Sequence, residues 1–347
     1  MKIKTAKAAI LVQSGAPLVV DEFTLPDELG VGQALVKILH SSICGAQINE
    51  IAAAKGPDKF LPHLLGHEAS AQVVETGPGV TNVKAGDTVV LHWRPSQGIQ
   101  SPTPDYRWKG AKLNAGWVTT FNEYAVVSEN RMTPIPSDYD LKIAPLLGCA
   151  VTTAVGVVNN DAKVKIGESV AVYGAGGVGL NIVQFAALAG AYPIVAIDLL
   201  DNKLEMAKAL GATHVINAAA TADVPAAIRA IAGAKGPDKV IETTGVRAVI
   251  EQSYDITHPD GICVLVGVPS EKVTIDSLPI HFNKVLTGSH GGDAHPHIDI
   301  PRILKLDEAG RISFDGLITH EFTLDQVNEA LDVVRSGQGG RVLLNIG

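Results

Sequence analysis

The hydrophobic pattern changes its period partway along the chain. Up to about residue 150, apolar positions come in short runs broken by Gly and Pro, such as Ala8–Val12, Ala34–Leu39, Ser70–Glu75 and Thr88–Leu91. Many short strands joined by turns predict a mainly antiparallel, barrel-like β domain. From Ser169 the rhythm becomes an alternation of strand and helix. Strands are expected at Ser169–Tyr173, Ile194–Asp198, His214–Asn217, Lys239–Glu242, Ile262–Val266 and Val285–Thr287. Between them fall helical stretches at Val178–Ala189, Asn202–Leu210, Val224–Ala232 and Arg247–Tyr254. Six strands with helical crossovers predict an α/β, doubly wound parallel sheet. The tail carries two amphipathic stretches, Ile303–Glu308 and Leu324–Ser336, and a closing strand, Arg341–Ile346. The chain is therefore expected to divide at 1–150, 151–293 and 294–347, with the last segment returning to the first domain.

The junction of the first expected parallel strand and its helix reads Gly174-Ala175-Gly176-Gly177-Val178-Gly179. This is G-x-G-x-x-G between a strand and a helix, the setting in which the motif binds dinucleotides. Gly174 permits the turn, Gly176 lets backbone approach a pyrophosphate, and Gly179 lets helix pack on strand. The helix N-terminus behind it offers unpaired N–H groups to the phosphates. The second strand ends in Asp198, 19 residues past Gly179. A carboxylate there accepts from a ribose 2′-hydroxyl and repels a 2′-phosphate, so NAD is expected rather than NADP.

Composition narrows the remaining classes. The chain has 347 residues, 46% hydrophobic and 18% charged, with a formal net charge of −8. An acidic chain without basic runs is not expected to bind nucleic acid or an anionic membrane. No apolar stretch is long enough to span a bilayer, and Ala8–Val12 is too short for a signal-peptide core. Three cysteines, Cys44, Cys149 and Cys263, do not make a disulfide framework. A reducing cytoplasm is the expected setting.

Two of those cysteines stand with His67 in the first 150 residues. Two thiolates and one imidazole leave a fourth position open, the donor set of a catalytic zinc. Taken singly, each has an ordinary reading, since Cys packs as a small apolar residue. Their spacing alone does not bring them together.

The combination of Cys44, Gly66-His67-Glu68, Gly77-Pro78-Gly79-Val80, Gly86-Asp87, Cys149 and the glycine loop resembles the zinc-dependent alcohol dehydrogenases of the medium-chain dehydrogenase/reductase family, across nearly the whole chain. The resemblance implies an NAD-dependent oxidoreductase with a catalytic zinc held by Cys44, His67 and Cys149. Zinc then lowers the pKa of an alcohol, and hydride passes to NAD. Glu68 is implied as a transient ligand or as an orienting carboxylate. Thr153, Val266 and Val268 are implied beside the nicotinamide, Lys203 near the adenosine ribose and Arg341 at the pyrophosphate. Trp93 is implied in the substrate pocket. Relatives of this family are homodimers or homotetramers.

The chain departs from that pattern at several places. Ala46, Gln47 and Asn49 stand where the family has a hydroxyl residue, an Asp and a relay His. The usual proton path is thus broken, and His92 or a hydroxyl of the substrate itself is the expected substitute. Gln47 is expected to accept a hydrogen bond from the His ligand without adding charge. Residues 94 to 116 contain no Cys, so the structural-zinc lobe is expected to be missing and one zinc per subunit to remain. The segment with Arg94, Tyr106, Arg107 and Lys109 reads as a packed Ω-like loop, or as part of a site for a polyol, cyclitol or sugar derivative. His290, His295 and His297 are not expected to form a second metal site. Three other readings stay open: a zinc-free quinone or enoyl reductase of the same fold, a non-catalytic nucleotide-binding relative, and an enzyme that keeps zinc and NAD but does net non-redox chemistry through a transient ketone.

Overall fold

The computed structural model describes every residue except Gln338. The chain forms two compact units. One comprises Met1–Cys149, His295–Lys305 and Phe314–Gly347, and the other Ala150–Ala294 and Leu306–Ser313.

In the first unit the strands are β1 (Thr5–Leu11), β2 (Val19–Thr24), β3 (Gln33–Ile43), β4 (His63–Leu64), β5 (Ala69–Thr76), β6 (Thr88–Leu91), β7 (Tyr106–Trp108), β8 (Ala111–Leu113), β9 (Tyr124–Ser128) and β10 (Met132–Pro134). Short helices α1 (Gly45–Ile51) and α2 (Ala144–Leu147) interrupt the sequence of strands. β3 is the spine. It pairs antiparallel with β5, with β9 and with the closing strand Arg341–Asn345. Register shifts between Leu35 and Val36 and between Ile38 and His40 mark two irregularities, of the kind that bend a strand. Among the described residues the ladders are antiparallel except between Ile318–Thr323 and Arg341–Asn345, and an isolated parallel bridge joins His63 to Asn114. Alternate residues of β3, β5, β6 and β9 bury Val36, Ile38, Ala71, Val73, Val89, Leu91 and Val127 in one cluster. A second cluster places Ile43, Ile51, Leu65, Phe121 and Val342 beneath the end of β3.

Residues 94 to 116 are not an Ω-like loop. They contain the hairpin β7–β8, which adds to β2. The reason is visible in the side chains. Tyr106 and Leu113 face inward and are fully buried, and the Tyr106 ring meets Phe23 edge-on at 5.0 Å. The Tyr106 hydroxyl accepts from Val126 N–H at 2.7 Å. Lys109 and Gly110 both have positive φ, as a two-residue hairpin turn requires. Trp108 Nε1–H donates to Asp21, and Lys109 pairs with the same carboxylate at 3.4 Å. Tyr106, Trp108 and Lys109 therefore serve the hairpin.

The second unit opens with α3 (Ala150–Gly156). Its strands are β11 (Val170–Tyr173), β12 (Ile194–Asp198), β13 (His214–Asn217), β14 (Lys239–Glu242), β15 (Ile262–Leu265) and β16 (Val285–Gly288), all parallel. Their order among the described residues is β13-β12-β11-β14-β15-β16. This is the doubly wound arrangement that the alternating pattern predicts, with the reversal of direction at β11. The helices between them are α4 (Gly177–Leu188), α5 (Asp201–Ala209), α6 (Val224–Ala232) and α7 (Arg247–Ile256). Strand and helix limits lie within two residues of the expected ones, because buried parallel strands are near-continuous apolar runs. The tail holds α8 (Pro296–Glu308), β17 (Ile318–Thr323), α9 (Val327–Ser336) and β18 (Arg341–Asn345). β17 lacks a clear apolar period and was not expected from the pattern.

Glu129 ties three loops of the first unit together. It follows β9, is 1% exposed, and accepts from Thr81 N–H (2.7 Å), Asn82 N–H (2.9 Å) and Ile99 N–H (2.8 Å). Burial raises its pKa, but these three bonds outweigh burial and hold the carboxyl below its usual value. A group with a depressed folded pKa contributes stability above its unfolded pKa of about 4.3 and loses it as pH falls through the folded value. Glu129→Gln should turn an N–H donor toward one of these donors and cost about 1–3 kcal/mol. Thermal unfolding at neutral pH should show a lowered midpoint, and the gap to wild type should close in acid.

Candidate metal centre and dinucleotide loop

β3 ends at Ile43, so Cys44 is the first residue beyond it and caps α1. β5 begins at Ala69, and His67 and Glu68 lie in the turn that enters it. Gly66 before them has φ +88, and a Cβ there would lie 2.2 Å from Thr120 Oγ1 and 2.9 Å from Phe121 N. Only glycine fits where this turn presses on the neighbouring chain. Cys149 follows α2 and Gly148, whose own missing Cβ would lie 2.3 Å from Leu91 O and 3.2 Å from Glu68 Cα. The close approach at Gly148 carries Cys149 onto the turn that holds His67.

The result is a convergence in the first unit. One ligand atom each from Cys44, His67 and Cys149 lies within 4.8 Å of the others. Tetrahedral ligands at about 2.0–2.3 Å from zinc are about 3.5–3.8 Å apart, so a small inward movement closes the site on an ion. Among the described residues this is the one such group of His, Cys, Asp and Glu side chains. His67 Nε2 is buried with no hydrogen-bond partner. An orphaned buried nitrogen facing two thiols fits a metal ligand better than a packed core histidine. The hydrogen bond between the sulfurs pulls Cys44 well below the ordinary thiol value, against burial, and pushes Cys149 well above it.

Around this centre several side chains are placed differently from expectation. Gln47 is 1% exposed and its amide nitrogen, not its oxygen, lies 2.5 Å from His67 Nδ1. Its oxygen accepts from Cys44 N–H at 3.1 Å. The amide thus donates toward the His, which corrects the expectation that it accepts. The helix geometry is the cause, since Gln47 is the third residue of α1 and its side chain reaches back to the backbone of the cap residue Cys44. Glu68 is fully buried and bonded through Oε1 to Arg341, which is also buried. Arg341 is thereby engaged by a carboxylate beside the cysteines in its own unit, a partner the sequence does not announce. Burial pushes the Glu68 carboxyl up to about 7 even though Arg341 opposes the rise.

His92 has both ring nitrogens hydrogen-bonded. Its Nδ1–H donates to Arg94 O at 2.8 Å, and its Nε2 bonds to Thr133 Oγ1 at 2.9 Å. The ring is fully buried, and burial lowers its pKa to about 4. Both nitrogens serve the join of β6 to β10. Trp93 is half-buried, with the Arg94 guanidinium 5.8 Å from its ring. Ala46 and Asn49 are exposed on α1. His297 bonds through Nδ1 to Ser96 Oγ at 2.9 Å.

In the second unit the glycine loop joins β11 to α4. Gly174 has φ +89, and a Cβ on Gly179 would lie 1.8 Å from Gly174 O. A Cβ on Gly176 meets nothing within 4 Å. Gly174 and Gly179 are thus required by the turn itself, whereas Gly176 faces open space. Asp198 Oδ2 accepts from Ala175 N–H at 2.7 Å, and its Oδ1 from Leu199 N–H at 2.8 Å and Leu200 N–H at 3.1 Å. The acid at the end of β12 therefore braces the loop. Gly177 and Val178 form the first turn of α4, whose N–H groups open at the loop. Val266 N–H donates to Glu242 O at 2.8 Å, and Val268 is 57% exposed. Thr153 is buried in α3 and Lys203 half-buried in α5.

Comparison with known proteins matches these two units in turn. The alcohol dehydrogenase GroES-like domain matches residues 30–137, and the zinc-binding dehydrogenase family matches residues 177–308. The chain is 31% identical to S-(hydroxymethyl)glutathione dehydrogenase of Paracoccus denitrificans, over 96% of the chain and 98% of that protein. It is 32% identical to alcohol dehydrogenase 6 of Peromyscus maniculatus, over 99% and 98%. Among solved structures, it is similar to benzyl alcohol dehydrogenase from Acinetobacter calcoaceticus, with a TM-score of 0.89 and 27% identity over 99% of this chain and all of that one. An alcohol dehydrogenase zinc-binding domain protein from Burkholderia ambifaria gives a TM-score of 0.90 at 29% identity, over 99% of each chain.

The two kinds of glycine separate experimentally. Gly176→Ala should leave thermal stability unchanged but weaken dinucleotide binding by at least tenfold, because the new methyl fills the space a pyrophosphate would take. Gly179→Ala should lower both, because its methyl collides with backbone. Calorimetric titration with NAD, beside thermal unfolding, distinguishes the two.

Proposed function

The chain belongs to the zinc-binding alcohol dehydrogenases and is an NAD-linked oxidoreductase of an alcohol–carbonyl pair; from that premise we propose that Cys44, His67 and Cys149 hold one zinc per subunit. The glycine loop Gly174–Gly179 with Asp198 holds NAD, with Lys203 near the adenosine ribose and Thr153, Val266 and Val268 beside the nicotinamide. The observation that carries this reading is the gathering of two sulfurs and an orphaned imidazole nitrogen within 4.8 Å. Zinc, when bound, supplies Lewis acidity of the kind that brings the pKa of water from 15.7 to about 7, and NAD supplies the hydride acceptor.

The chain's own residues set the conditions for that chemistry. The two cysteines neutralise a divalent charge, so the centre stays electrophilic without a net anion. Glu68 is held by Arg341 in the wall of the site, so this carboxylate stands by as an orienting group. Backbone N–H groups at the start of α4 meet the pyrophosphate, and Asp198 favours a free 2′-hydroxyl. The proton of the alcohol needs an acceptor. Ala46 has no hydroxyl, Asn49 cannot titrate, and both nitrogens of His92 are committed. A second hydroxyl on the substrate can relay that proton to solvent, giving up its own as it receives it, which favours a polyol, cyclitol or sugar derivative with Trp93 as a wall of its pocket.

Purified protein should contain one equivalent of zinc by metal analysis. Oxidation of members of an alcohol panel with NAD should appear at the NADH absorbance, with vicinal diols ahead of simple alcohols. His67→Ala should lose the metal and at least a thousandfold of the activity while retaining NAD binding. Metal-free protein that reduces quinones or enoyl compounds would establish the zinc-free reductase reading instead. NAD binding without turnover of any substrate would establish a non-catalytic protein.

We also infer a homodimer or homotetramer that uses the β16 edge. Val285 (43% exposed) opens β16, and Leu278 (61%), Ile280 (44%) and Phe282 (67%) stand in the helical turn Leu278–Phe282 just before it. Large apolar side chains along an unpaired edge favour a partner there. Phe282→Asp should shift the mass measured by light scattering toward the monomer.

A further inference from the structure

The hydrogen bonds around Gln47 run the wrong way for a metal-binding histidine. Cys44 N–H lies 3.1 Å from Gln47 Oε1, and Gln47 Nε2 lies 2.5 Å from His67 Nδ1. A backbone N–H can only donate, so the oxygen of the amide must face Cys44 and its NH2 must face the imidazole. An amide NH2 can also only donate. Nδ1 is therefore the acceptor, and the proton of a neutral ring sits on Nε2. Yet Nε2 is the nitrogen left for the ion, and it needs its lone pair there. A histidine that ligates through one nitrogen donates from the other to an acceptor. Gln47 offers His67 a donor. With Gln47 1% exposed, bulk water does not reach the contact to reverse it.

We propose that Gln47 is a positioning residue whose side-chain amide inverts when the Cys44–His67–Cys149 site takes zinc. This rests on the reading of that site as the zinc centre. On loading, the Nε2 proton goes to solvent, another arrives at Nδ1, and the ring stays neutral. The carboxamide turns over about its terminal torsion, which is soft. Oε1 then accepts from Nδ1–H, and Cys44 N–H, at the start of α1, loses its partner. Metal binding is thereby coupled to the cap of the helix that follows the first ligand, and the lost bond opposes the metal. The wild-type site should hold zinc more weakly than its two thiolates and imidazole alone would allow.

Gln47→Glu tests this with a near-isosteric change. A carboxylate has an oxygen for Cys44 N–H and another for His67 Nδ1–H at once, so no inversion is needed. Zinc affinity, measured by chelator competition on the holoprotein, should tighten by about 10–100-fold, the range of effects seen for groups that orient ligands. Gln47→Met, which adds no charge, should bind zinc at least as tightly as wild type, since a donor that must be removed is gone. Amide-resolved hydrogen exchange reports the cap directly. Protection of the Cys44 N–H should fall on zinc loading in wild type and persist in Gln47→Glu. Matching thermal midpoints of the zinc-stripped proteins would show that folding is not the cause. An affinity of Gln47→Glu within threefold of wild type, a Gln47→Met variant weakened by tenfold or more, or a Cys44 amide indifferent to zinc overturns the inversion while leaving the zinc centre standing. Failure of wild type to bind zinc at all overturns both.

Discussion

The register of β3 is the constraint on which the rest of the first unit depends. Pairing Ser41 with Ala69 sets the turn bearing His67 and Glu68 beside the end of β3, where Cys44 begins. Pairing Ile43 with Val342 sets Arg341 against that same end. Side chains 273 positions apart in the chain, Glu68 and Arg341, meet there because two ladders share one strand. A one-residue slip would turn every one of these side chains to the opposite face of its strand. The buried cluster of Ile43, Leu65, Phe121 and Val342 beneath the ends opposes such a slip.

Burial then gives these groups their character. In water Glu68 would be a plain carboxylate; here the loss of solvent raises it to about 7 despite its guanidinium partner. The same loss takes His92 the other way, to about 4, and both of its nitrogens are bonded. Environment, more than residue type, separates a group that can act from one that is sealed. At Gln47 direction matters more than charge. An amide that donates suits a ring whose Nδ1 accepts and not one whose Nδ1 carries a proton, and the Cys44 N–H decides which of its ends faces the imidazole.

The second unit solves a different problem with backbone alone. Its loop places N–H groups at a helix start and removes side chains where an anion must approach. Asp198 braces this loop through Ala175 N–H and so links the end of β12 to the geometry of the glycine loop. The hairpin Tyr106–Leu113 shows a third use of local chemistry: a Lys-Gly turn and one buried tyrosine convert a polar, lobe-like stretch into an added pair of strands.

Much of this was determined by the sequence alone. Six short apolar runs at regular spacing specify a parallel sheet because strands covered on both faces need unbroken apolar side chains. The glycine loop is legible because each glycine answers a local steric demand. Local rules reach only a few residues, however. They do not tell which oxygen of Asp198 is already bonded, which end of the Gln47 amide meets His67, or that Arg341 spends its charge on Glu68. β17 and the 106–113 hairpin escaped the pattern for the same reason, since their pairing comes from neighbours far along the chain. Only the tertiary structure decides these matters, because hydrogen-bond direction and burial are properties of what folding brings together.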